Sequence, residues 1–200
     1  MMRSLLALSV IALVAAVSAL AIGSVTISPA ELWAVIQGEG SMLHSTLVWE
    51  LRLPRALAAF ATGGLLAVAG ALMQVLLRNP LADPYVLGLS GGAAVGALLA
   101  MLSGMGALLI SGSAFAGAML ATVLVFGLAH GTGSWTASRL LLTGVVVAAG
   151  WGAVITLILA LTPSYKLPGM LYWLMGDVSY ARTPWPALLV LALAIAVIMP

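Results

Sequence analysis

The stretch Arg78-Asn-Pro-Leu-Ala-Asp-Pro-Tyr-Val-Leu-Gly-Leu-Ser-Gly-Gly-Ala-Ala-Val-Gly96 joins two long apolar runs through a polar hinge punctuated by prolines. A residue before proline is pushed out of the α region, so Asn79-Pro80 ends one helix. Asp83-Pro84 opens the next, with a carboxylate to cap the first amides and a ring that presets φ. Pro80, Asp83 and Pro84 are therefore the hinge and capping residues. Just beyond them Gly92 and Gly96 lie one helical turn apart, a spacing that lets another backbone approach closely. These features suit a capped membrane hairpin, and they equally suit a hinge that moves.

Composition decides the surroundings. With 64% hydrophobic and 6% charged residues and a mean hydropathy of +1.23, the chain falls far below the roughly 25% charge of a soluble domain. It reads as an all-α, polytopic membrane helix bundle. A spanning helix needs about 20 apolar residues, and on that measure 1–200 is a single membrane domain with about six spans. They are placed at about 4–24, 56–77, 86–103, 107–129, 140–161 and 185–200. The last is incomplete, so the chain looks cut in mid-helix. Ala19-Leu-Ala21 has the small-x-small form of a signal cleavage site, but the first apolar run exceeds the roughly 7–15 residues of a signal core and is expected to be retained.

Between the first two spans, Ser28-Pro29-Ala30-Glu31 reads as a capping box opening a short surface helix through about Gln37. In the second span Ala59, Gly63, Ala67 and Ala71 recur every four residues and predict a helix-packing face. A short apolar helix over 169–176 is expected at the interface, with Tyr172 and Trp173 in the aromatic belt. His130 opens the loop after the fourth span and reads as an interfacial cap. Orientation is not decided by charge. With the N-terminus inside, Arg3, Arg78 and Arg139 stand against Arg52, Arg55, Lys166 and Arg182 outside.

Absences narrow the chemistry. None of the six runs holds Asp, Glu, Lys or Arg, which disfavours ion coupling through this portion. There is no phosphate-binding loop, no dinucleotide fingerprint and no His/Asp/Glu spacing suited to a metal or a catalytic triad. An intramembrane enzyme would have to find its catalytic groups among scattered hydroxyls, and the chain is expected to bind no cofactor itself. Its net charge of +2 is too dispersed for nucleic acid.

Arg52-Leu-Pro-Arg55, Gly70-Ala-Leu-Met-Gln74, the 78–84 block, Leu87-Gly-Leu-Ser-Gly-Gly-Ala93, Ser138-Arg-Leu-Leu-Leu-Thr-Gly144 and Tyr172-Trp-Leu-Met-Gly176 resemble the FecCD family. These are permeases of bacterial ATP-driven importers for ferric siderophores, haem and vitamin B12. The resemblance implies the first part of a ten-span, type II ABC importer permease in the bacterial inner membrane, with its N-terminus cytoplasmic. It implies a homodimer in the lipid bilayer, a cytoplasmic ATP-binding subunit that carries ATP and Mg, and a periplasmic binding protein. Carried over residue by residue, it makes Asn79, Leu81, Ala137 and Ser138 the cytoplasmic gate, and Arg52 and Arg55 the docking residues for the binding protein. The family has a hydroxyl where this chain has Ala137. The competing expectations are an ATP-independent channel or secondary carrier, and a structural membrane subunit.

Overall fold

The computed structural model describes residues 2–130, 136–178, 181 and 183–198, and among these every regular element is helical. Helices α1 (Met2–Ala21), α2 (Pro29–Gln37) and α3 (Met42–Thr46) are followed by a π-helical turn (Leu47–Arg52) and α4 (Leu53–Leu77). A 3₁₀ turn (Pro84–Leu87) then precedes α5 (Leu89–Leu102), α6 (Ala107–His130), α7 (Ala137–Leu161), α8 (Leu167–Met175) and α9 (Trp185–Ile198). The contacts group into two compact units, one of residues 1–68 with 178–200 and the other of 69–177.

Among the described residues, four helical stretches are long and apolar enough to cross a membrane: Met2–Ala21, Met42–Leu77, Ala107–His130 and Ala137–Leu161. Two of the six expected spans are shorter. The run at 86–103 folds as the 3₁₀ turn plus a 14-residue α5, because Gly88 takes the left-handed conformation (φ 68°) and breaks the helix there. The described part of the last run is α9, also 14 residues; residues 199–200 lie outside the description. The second span begins earlier than Ala56. Its helix is continuous from Met42, and the wider π turn precedes Pro54, whose ring removes one backbone donor.

In the first unit, α2 forms as its sequence dictates. Ser28 Oγ accepts from Glu31 N at 3.3 Å, and Glu31 Oε2 accepts from Ser28 N at 2.7 Å. A hydrogen bond from the Ser28 side chain to the Glu31 carboxyl, and after it the one from the Ser28 backbone amide, hold that carboxyl below its usual pKa. The inner face of α2 contributes Leu32 and Val35 to a small core with Ile27 and Val48. Further on, Gly64 of α4 receives Leu191 of α9: a Cβ at Gly64 would stand 2.9 Å from both Leu191 methyls.

The second unit is tighter. Gly92 and Gly96 of α5 face Gly117 and Ser113 of α6, so near that a Cβ at Gly92 would stand 2.7 Å from Ala121 Cβ. A second core joins Val95, Leu98 and Ile158 to Met170 of α8, which is fully buried. Lys166, just before α8, donates from Nζ to Leu102 O at 2.6 Å and so caps the C-terminus of α5. Tyr172 lies on the exposed side of α8.

Candidate functional site

The hinge is a chain of local hydrogen bonds. At the end of α4, Arg78 N donates to Val75 O and Asn79 N to Gln74 O, the paired bonds of a Schellman ending. That motif needs a left-handed residue, usually glycine; here it is Arg78, at φ 48°. Asn79 Oδ1 accepts from Leu81 N at 2.9 Å, and Asp83 Oδ1 accepts from Tyr85 N at 2.8 Å. Pro80 sits inside the first of these turns and Pro84 starts the 3₁₀ turn. Two side-chain acceptors therefore tie down a five-residue link that offers few backbone bonds of its own.

Apolar packing joins this hinge to the start of α7. Ala82 and Leu87 share a buried cluster with Met73, Leu77, Val125, Ala129 and Leu140, and Ala137 packs against it. Gly144 of α7 lies directly on the carbonyl of Val86, with no room for a Cβ. Of the four gate expectations, Asn79 and Ala137 are half-buried, whereas Ser138 is exposed and Leu81 is 88% exposed. The structure thus brings the hinge and the α7 N-terminus together at one end of the second unit. Thr136, which the sequence reading passes over, caps α7 by accepting from Arg139 N at 3.3 Å. Its signal was available, since a threonine stands just before an apolar run. Residues 131–135 of the preceding loop lie outside the description.

The arginine pair belongs to the first unit. Arg52 ends the π turn and Arg55 follows one helical turn later, both lining a cavity of about 370 Å³ with Ile22, Gly23, Ser24 and Val178. The Arg52 guanidinium donates to the carbonyls of Leu20, Ala21 and Val25, an engagement with no counterpart in the sequence reading. Arg182 lies outside the description.

The small-residue stripe of α4 meets no close neighbour at its centre. Ala59, Gly63, Ala67 and Ala71 are exposed, and a Cβ at Gly63 would have nothing within 4 Å. Among the described residues the adjacent face buries Ala58 and Ala61 and receives Leu191 at Gly64. Small-residue periodicity runs along several rows of this alanine-rich helix, and repeat spacing does not choose among them. Among the described residues, no three His, Asp or Glu side chains are grouped to hold a metal ion.

The family model described as the FecCD transport family matches residues 10–200. The chain is 46% identical over 106 residues to the vitamin B12 import system permease protein BtuC of Escherichia coli O17:K52:H18 (strain UMN026 / ExPEC), a match covering 53% of this chain and 30% of that protein. The BtuC of Escherichia coli O1:K1 / APEC matches to the same extent. A solved structure described as an inward-facing conformation of a metal-chelate type ABC transporter superposes with a TM-score of 0.79 at 24% identity, covering 98% of this chain and 62% of that one. The chain thus spans about a third of the length of the curated relatives it matches.

Proposed function

This chain belongs to the FecCD transport family, and from that premise we propose that it is the first part of the membrane permease of an ATP-driven importer. The cargo is a bulky iron chelate, such as a ferric siderophore or haem, or a corrinoid, carried from periplasm to cytoplasm. The observation that carries this reading is the family match over residues 10–200. ATP with Mg is hydrolysed on a separate cytoplasmic subunit, a periplasmic binding protein delivers the cargo, and a second permease copy completes the pathway in the inner membrane. The N-terminus is cytoplasmic. On that orientation the 78–84 hinge and the start of α7 form the inner gate.

The gate geometry suits closure rather than capture. Leu81 presents an apolar side chain to solvent, Asn79 and Ala137 are half-buried, and Ser138 is exposed. Such a rim shuts by apolar contact and grips no ligand. Its two segments share the Ala82 and Leu140 cluster, so they move as one piece. Arg52 and Arg55 belong to the docking entrance for the binding protein, where the Arg55 guanidinium matches a carboxylate of that partner.

The test uses the full-length permease with its ATPase in proteoliposomes, supplied with radiolabelled ferric siderophore, haem or cobalamin on its binding protein. Uptake that needs ATP and co-purifying ATPase is the expected result. Uptake without any ATPase would replace the importer with a channel or carrier, and no uptake of any cargo would leave a structural subunit.

A further inference from the structure

Arg52 stands where a docking cation is expected, yet its guanidinium is turned onto the chain's own backbone. Nη1 donates to Leu20 O at 2.7 Å and to Ala21 O at 3.0 Å, while Nη2 donates to Val25 O. These carbonyls lie at and just past the C-terminus of α1, where helix carbonyls have no intrahelical donor. Beside a bilayer they must be satisfied within the protein, and the negative end of the helix dipole favours a cation. Gly23 supplies the berth. A Cβ at that position would stand 2.7 Å from Nη2 and 3.1 Å from Cζ of Arg52.

The remainder of α1 is loosely held within its unit. None of its residues is buried, and Leu20, at its very end, packs against the core under α2. Along its middle an apolar groove of about 530 Å³ separates it from the start of α4, between Ala12, Ala16 and Ala19 on one side and Leu53, Leu57 and Phe60 on the other.

We propose that Arg52 is a positioning residue that pins the C-terminal end of α1 to the start of α4. Its Nη1 and Nη2 bonds take three of the five N–H donors and occupy the end-on fork, which closes that edge to a bidentate grip on a carboxylate. Arg52 therefore acts on docking by holding the entrance in shape, a consequence that rests on the importer reading, whereas the pin itself does not.

Amide hydrogen exchange on the full-length permease in lipid nanodiscs tests the pin. The amides of Ile22 and Ile27, bonded to Ser18 O and Ala21 O, report on this end of α1. Arg52→Ala should speed exchange across residues 18–27 by about tenfold, as loss of a charged hydrogen-bond donor implies, with residues 107–130 unchanged. Gly23→Val keeps the arginine but fills its berth, and should reproduce the effect; Arg55→Ala should not. Wild-type exchange in both Arg52→Ala and Gly23→Val overturns the proposal. Affinity for the purified binding protein of the same importer is then measured separately. Arg52→Lys, which keeps a donor at the berth, should bind within about twofold of wild type if the contact is indirect, and a loss as large as that of Arg55→Ala overturns that consequence. Failure of wild type itself to bind would sink the importer reading and leave the exchange result standing.

Discussion

Replacing Gly96 by alanine adds one methyl group at the tightest crossing in the molecule. The new Cβ would stand 2.8 Å from the carbonyl carbon of Ser113, with the oxygen nearer still. Ordinary contact begins at 3.4 Å, so the two backbones must part by at least about 0.6 Å. No rotamer relieves this, because the obstacle is main chain on both sides. Gly92 and Gly117 face each other one turn away in the same way, so the separation spreads along the whole α5/α6 contact. Overpacking of this kind costs about 1–3 kcal/mol, and a backbone obstacle argues for the upper half of that range. Alanine's better helix propensity returns about 0.5–1 kcal/mol, which leaves a net loss of roughly 1–2.5 kcal/mol. Gly63→Ala is the control, gaining the propensity while its Cβ meets nothing within 4 Å. Reversible unfolding of the full-length permease in mixed detergent micelles should rank the variants Gly63→Ala, wild type, Gly96→Ala in falling stability. A Gly96→Ala protein as stable as Gly63→Ala would show that the α5/α6 crossing does not depend on backbone contact.

Arg78→Gly should raise stability by about 1 kcal/mol in the same assay, since glycine takes the left-handed φ of the Schellman ending without a Cβ penalty. Asp83→Ala and Asn79→Ala each remove one side-chain acceptor, at about 1 kcal/mol apiece. If the hinge is the gate, only Asn79→Ala should let cargo leak from nucleotide-free proteoliposomes. The capping box of α2 should be pH-dependent. Because the folded-state pKa of Glu31 is lowered from 4.5, its contribution is complete above that value and is lost as pH falls through the lowered one. Protection of the α2 amides, relative to their intrinsic exchange rates at each pH, should fall in acid in wild type, and Glu31→Gln, which keeps an acceptor, should abolish that fall.

Much of the scaffold was legible because its signals are local. The capping box at Ser28 and Glu31, the Asp83 cap ahead of Pro84 and the bare face of Gly92 and Gly96 each depend on residues within one or two turns. What the sequence concealed lies between distant segments. Arg52 meets carbonyls about thirty positions away, and Lys166 reaches Leu102 across 64, pairings that no spacing rule predicts. The onset of α4 was misplaced for another reason. Pro54 and two arginines resemble a boundary, but a π turn ahead of the proline lets the helix run through. On α4 the alanine-rich sequence offered several packing rows, and only the position of Leu191 selects Gly64 over Gly63.

The shortness of α5 bears on how the protein enters its membrane. At 1.5 Å per residue, its 14 residues reach about 21 Å, some 9 Å short of the hydrocarbon thickness. Its inward face of Gly92, Ala94, Val95, Ala97, Leu98 and Ala100 is buried by protein, and Lys166 closes its far carbonyl end. Such a segment has little hold on lipid while the nascent chain is still emerging. It is joined to the 24-residue α6 by four residues that include Gly104 in the left-handed conformation. The insertion machinery must therefore take the two helices as one hairpin, with α6 anchoring α5 until α7 and α8 arrive to cover it.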